Sequence, residues 1–150
     1  MPTVAHGLDG LRKLAGADLG ASDWLTVTQD RVNKFADATD DHQWIHVDTE
    51  RARTGPFGAA IAHGYLTLGL VIPLWTQILQ MDGVVVAVNY GLNRLRLPAP
   101  VPVGSQVRLH ARVSAVEDVA DAVQLTVDLT VEIQGGDKPA LVAEALYRYR

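Results

Sequence analysis

The chain of 150 residues contains no cysteine, which removes disulfides, thiolate metal ligands and a cysteine nucleophile from consideration. That lack fits a reducing compartment, and a cytoplasmic location is expected. Positive charge is also short. With 13 Lys and Arg against 17 Asp and Glu, the net charge is -4 and the sequence pI about 5.6. The basic surplus or stripe of a nucleic-acid binder is missing. The longest uncharged apolar stretch, Tyr65 to Met81, is slightly short for a bilayer and is interrupted by Thr67, Pro73, Thr76, Gln77 and Gln80. It reads as a buried helix, and no membrane partner is expected. Met1 to Ala21 lacks an apolar core behind a basic start, so a secretory signal is not expected either. What remains is 48% apolar and 20% charged, the composition of one ordinary globular domain over residues 1–150.

The hydrophobic period changes along the chain. Leu8, Leu11, Leu14 and Ala15 follow helical spacing, with Gly16 as a stop. Trp24 to Thr28 alternates like a short strand. Thr28 can cap a helix whose inner face carries Val32, Phe35 and Ala36. Thr39 to Trp44 is polar, unpatterned and dense in titratable groups, so it reads as a loop and as the place to look for chemistry. After Gly83 the period becomes two. Val107, Leu109, Ala111 and Val113 alternate with polar residues, as do Val123, Leu125, Val127, Leu129, Val131 and Ile133. Val84 to Leu97 and Leu141 to Tyr149 complete the strands, and Gln134 to Asp137 is a hairpin turn. The pattern is α+β: an antiparallel sheet whose apolar face is covered by one long apolar helix of about 17 residues, roughly 25 Å, enough to cross four or five strands.

Two clusters carry candidate chemistry. Asp40, Asp41, His42 and His46 lie close together, and an Asp and a His five residues apart can converge on one water if the chain turns between them. The competing reading is a solvated turn. His42 and His46 have the i,i+4 spacing of a metalloprotease helix, but Gln43 stands where the general-base Glu is needed, so no metal is expected. The second cluster is Ile61-Ala62-His63-Gly64-Tyr65 at the start of the apolar helix. Free N–H groups there suit a developing negative charge, and a glycine lets a substrate oxygen approach the backbone. Alternatively, Gly64 merely relieves packing.

Phe35, Thr39, Asp41, His46, the Gly55–Gly58 stretch, Ile61-Ala62-His63-Gly64 and the run from Asn89 through Arg94 and Arg96 to Val101 and Gly104 together resemble the MaoC-like (R)-specific enoyl-CoA hydratases. The likeness covers most of the chain and is strongest to short single-domain bacterial members, including those of mycobacterial type. In that family's motif an aromatic residue and a small hydroxyl residue precede a catalytic Asp, with a catalytic His five positions later. Phe35, Thr39, Asp41 and His46 fill those places. Asp40 stands where the family often has Gly, and Gln43-Trp44 where it often has Asn-Pro. These departures bear on pH profile and substrate more than on the reaction.

The resemblance implies a hot-dog fold, a homodimer and an acyl-CoA thioester as substrate, with no separate cofactor. It implies that Asp41 and His46 hold a water over the double bond of a trans-2-enoyl-CoA, that the Gly64 N–H stabilises the thioester oxygen, and that the product is (R)-3-hydroxyacyl-CoA. Which of the pair acts as base stays open. His63, Asn89, Arg94 and Arg96 are candidate substrate or CoA contacts, although arginines on a solvated strand face need no such role. Tyr65, Leu66, Leu70 and Trp75 are expected in the core, with some of them also bounding an acyl tunnel. Two other readings remain: an acyl-CoA thioesterase, and a non-catalytic hot-dog subunit or acyl-CoA-binding protein.

Overall fold

An apolar helix must be covered on most sides, and a sheet with one apolar face needs something to cover it. The computed structural model, which describes residues 1–150, joins those two requirements. Its elements are β1 (Thr3–His6), α1 (Gly7–Arg12), β2 (Asp18–Ala21), β3 (Leu25–Thr26), α2 (Gln29–Thr39), α3 (Trp44–Val47), α4 (Thr49–Arg53), α5 (Gly64–Ile78), β4 (Leu79–Asp82), β5 (Ala87–Arg96), β6 (Gln106–Val119), β7 (Ala122–Ile133) and β8 (Leu141–Tyr149). The main sheet has six strands in the order β2-β6-β7-β8-β5, with β3 also paired to β6, and every pairing is antiparallel. This is the hot-dog arrangement.

Strict alternation decides which face is inside. Val107, Leu109, Ala111 and Val113 on β6 are buried, as are Val123, Leu125, Val127, Leu129 and Val131 on β7. They form one core with Leu66, Leu70, Val71, Leu74, Trp75 and Ile78 of α5. Trp75 is also fixed by a polar contact, its indole N–H donating to the Tyr149 hydroxyl at 3.0 Å inside that core.

Several boundaries differ from the sequence reading. The long helix has 15 residues and stops at Ile78, not Met81. Leu79 adopts an extended conformation, and Leu79–Asp82 instead pairs in parallel with β1, a strand the sequence pattern does not announce. The N-terminal helix ends at Arg12, short of Ala15, and the strand expected at Trp24–Thr28 shrinks to two residues. The loop expected at Thr39–Trp44 begins one residue later and ends earlier, because Thr39 closes α2 and Trp44 opens α3. Strand β6 continues to Val119, past Ser114 where alternation fails. A register shift between Val113 and Ala115 accounts for the failure. Of the residues assigned to the core, Leu66, Leu70 and Trp75 are buried, but Tyr65 is 71% exposed. It lies on the opposite side of α5 from Leu66, Leu70 and Leu74.

Candidate active site

The site is assembled by three short segments around the start of α5. The first is the end of α2. Thr28 caps that helix by accepting from the Arg31 N–H, and Val32 and Ala36 anchor it in the interior. Thr39 closes the helix with its hydroxyl bonded to the Phe35 carbonyl at 2.7 Å. Asp40 then takes a left-handed conformation (φ 59°), a shape tolerated best by Asn, Asp and Gly, and turns the chain sharply. The turn leaves Asp41 exposed at the rim of a cleft, while His42 faces away and pairs with Asp37 at 2.9 Å. The i,i+4 histidines are thus separated, one on the surface and one inside.

The second segment is α3, which carries His46. The His46 side chain is 6% exposed, and its Nδ1 lies 2.7 Å from the Ile61 carbonyl. A carbonyl can only accept, so Nδ1 carries the proton and Nε2 keeps its lone pair. The His46 backbone is held as well, its carbonyl accepting from the Gln29 side chain at 2.8 Å, and the Ile61 N–H donates to Ile45 at 3.0 Å. Burial pushes the His46 imidazole below its ordinary value of 6.5. The bond to Ile61 opposes that shift, the His63 ring adds to it, and the charge of Asp41 opposes it.

The third segment enters α5. His63, 2% exposed, donates from Nε2 to the Asp41 main-chain carbonyl at 2.9 Å and stacks on His46 with ring centroids 3.8 Å apart. Phe35 packs on its other neighbourhood at 4.7 Å, and its Nδ1 is buried without a partner. Gly64 opens the helix. The first-turn N–H groups of an α-helix have no intrahelical acceptor, and no side chain caps this end. A cleft of about 520 Å3 is lined by Phe35, Thr39, Asp41, His46, His63, Gly64, Tyr65 and Leu97. It joins a carboxylate, a base with a free lone pair and a helix N-terminus.

Side-chain ligand atoms of Asp41, His46 and His63 lie within 4.8 Å of one another, so a cation has to be weighed. Imidazole lone pairs lie in the ring planes. The His46 and His63 planes are stacked and only 24° apart, so their lone pairs run side by side instead of meeting at one ion. His46 Nδ1 and His63 Nε2 are also committed to carbonyls. The donor set suits a water better than a metal.

Four of the residues singled out in the sequence, Asp41, His46, His63 and Gly64, therefore meet in one place. The other three do not. Asn89 lines a separate cavity of about 280 Å3 between α5 and strands β5 and β8. Arg94 and Arg96 are exposed on β5, Arg96 bonding to the Leu95 carbonyl at 2.7 Å. His63 lines the catalytic cleft although only 2% of it is exposed. Tyr65, the last residue of the second sequence cluster, also lines the cleft; Leu97 does too, and as an apolar residue at the end of a strand it carries no polar motif to flag it.

A buried imidazole with one free lone pair, beside a carboxylate and a helix N-terminus, is a set of groups suited to acid–base chemistry, here on a hot-dog frame. Residues 11–134 match the MaoC-like domain, and the chain belongs to that family. It is 56% identical over 140 residues to a 3-hydroxyacyl-thioester dehydratase Z of Mycobacterium tuberculosis, covering 93% of each chain. It is 41% identical over 147 residues to nodulation protein N of Rhizobium meliloti, covering 91% of this chain and 86% of that one. Among solved structures, an (R)-hydratase from A. caviae involved in PHA biosynthesis superposes with a TM-score of 0.73 at 27% identity, covering 89% of this chain and 94% of that one. The chain is a hydro-lyase by family.

Proposed function

We propose that the protein catalyses reversible addition of water to trans-2-enoyl-CoA thioesters, giving (R)-3-hydroxyacyl-CoA. The observation that carries this reading is the His46 tautomer, fixed by the Ile61 carbonyl, with its Nε2 free beside Asp41 and Gly64. In the hydration direction Asp41 and Nε2 of His46 hold one water. As its oxygen bonds to the β-carbon, His46 takes one proton, and the oxygen keeps the other as the 3-hydroxyl. The proton then passes from the imidazolium to the α-carbon, so one O–H bond and the π component of the C=C bond break while one C–O and one C–H bond form. Because one residue pair handles a single water, both additions fall on the same face. Negative charge gathers on the thioester oxygen meanwhile, and the Gly64 N–H stabilises it. CoA enters as part of the substrate, and the scheme uses no cofactor.

Residues Arg94 and Arg96 fit CoA phosphates only beyond the cleft, along the exposed strand β5. The open edge of that strand also supports a homodimer. The cysteine-free composition supports a cytoplasmic location, and no helix is long and apolar enough to cross a membrane. The direct test is loss of enoyl absorbance with a panel of enoyl-CoA esters, with free thiol followed in parallel. Hydration without thiol release is expected. Thiol release would move the assignment to a thioesterase, and a flat response across the panel would move it to a binding subunit.

A further inference from the structure

Two cavities meet at the start of α5. The cleft holding Asp41 shares His46, Gly64 and Leu97 with a second cavity of about 280 Å3. Phe57, Ile61 and Val101 are among the other walls of that second cavity, and no Asp, Glu, Lys or Arg lines it. An uncharged, mostly apolar chamber of this kind suits an alkyl chain and not a CoA phosphate.

The three shared residues form the partition between the chambers, and they differ in how far they can move. His46 is pinned by its bonds to Ile61 and Gln29. Gly64 has no side chain. Leu97 alone is free to turn: it follows the last residue of β5, belongs to no strand or helix, and is 41% exposed. Its Cδ1 lies 2.5 Å from where a Cβ on Gly64 would stand, so the tip of Leu97 occupies the space that glycine leaves open.

We propose that Leu97 is a specificity-determining residue, its side chain closing the passage from the catalytic cleft into the apolar chamber and restricting the enzyme to short enoyl chains. The inference rests on the hydratase reading above. With Leu97 in place, the alkyl tail beyond the β-carbon stays within the cleft. With Leu97 cut back, the tail of a longer substrate passes Gly64 and enters the second chamber, where each buried methylene is worth about fourfold.

The experiment compares kcat/KM for trans-2-enoyl-CoA esters of four, six, eight and ten carbons in the wild type, Leu97→Ala, Leu97→Phe and Leu97→Ala/Ala99→Leu. The wild type is expected to favour the shortest esters. Leu97→Ala should raise the ratio of eight-carbon to four-carbon kcat/KM on the order of 10²-fold, four methylenes at about fourfold each. Leu97→Phe should lower that ratio. Ala99 also lines the second chamber, so Ala99→Leu should return the ratio toward the wild-type value by filling it. A wild-type optimum at eight carbons or more overturns the proposal, as does a ratio in Leu97→Ala within twofold of wild type; in both cases hydration itself still stands. A ratio that Ala99→Leu fails to restore also overturns it, since the tail then goes elsewhere. No hydration of any ester by the wild type sinks the hydratase reading and this inference with it.

Discussion

One hydrogen bond to a backbone oxygen sets the tautomer of His46. Without the Ile61 carbonyl the ring could carry its proton on either nitrogen, and half the site's chemistry would be undefined. If Asp41 and His46 hold the same water, Asp41→Asn and His46→Gln should each cut turnover by about 10²–10⁴, the usual worth of a positioned acid–base group. The double variant should add little, as expected of residues acting as a unit, and steady-state kinetics on all three checks it. Asp40→Asn is the control. That residue lies outside the cleft lining and is needed only for its left-handed turn, which Asn also adopts, so most activity should remain. The depressed His46 value gives a pH prediction of definite sign. The unfolded chain takes up a proton near 6.5, while the folded chain resists it to lower pH. In that window the unfolded state binds more protons, so the stability contribution is full above about 6.5 and is lost as pH falls through the folded value. Melting temperatures measured from pH 8 to 5 should decline less in His46→Gln than in the wild type, and the acid limb of kcat/KM should lie below 6.5.

Among the elements, α5 brings its uncapped first residue to the candidate site. Replacing Gly64 by Pro deletes the N–H, but any side chain at 64 also meets Leu97. The comparison is therefore made in a Leu97→Ala background: Gly64→Pro should lose about 10²–10³ in turnover, while Gly64→Ala, which keeps the N–H, should lose far less. Equal turnover in the two would remove the Gly64 N–H from the mechanism. The same element shows where sequence reasoning stops. Its apolar run was legible, yet Leu79 to Met81 continue that run as a strand, and only the distant partner Thr3–His6 distinguishes the two. Period two marked β7 throughout and β6 as far as Ser114, where a bulge puts two residues against one. It failed on β5, whose register shifts twice, near Tyr90 and Asn93. That Asp41, His46 and Gly64 would share one cleft was legible through the family motif they fill, since spacing alone fitted a solvated turn equally well. The Ile61 carbonyl was not, because every residue has one. The core placement of Tyr65 failed because α5 is apolar nearly all round, and spacing does not show which part of it the sheet leaves uncovered.

Taken as a whole, a single chain leaves too much apolar surface in water. Strand β5 is bonded only to β8, and nine of its ten residues are exposed. Val85, 89% exposed, and Val88, Tyr90, Leu92 and Tyr65 all stand in solvent. The accessible area is 8044 Å2, against about 7,500 Å2 for a monomeric protein of 16.2 kDa from the usual mass scaling. An open edge with apolar residues along it invites another strand, and a two-fold axis lets the same edge of a second copy supply it. A homodimer of about 32 kDa, twice the chain's 16.2 kDa, is therefore expected by light scattering at micromolar concentration. Val88→Lys/Tyr90→Lys places two ammonium groups on that edge, one where the Arg148 guanidinium already stacks 3.4 Å over the Tyr90 ring. Repeated by symmetry across the axis, those charges repel, and the variant should scatter as a monomer. The core residues of β6, β7 and α5 are untouched by the change, so far-ultraviolet circular dichroism should keep its native shape. A wild type that is monomeric at that concentration, or a double-lysine variant that stays dimeric, places the interface elsewhere. Tyr65 is also exposed and lines the candidate cleft, so a rise in KM for the thioester in the separated variant would show that the interface reaches the site.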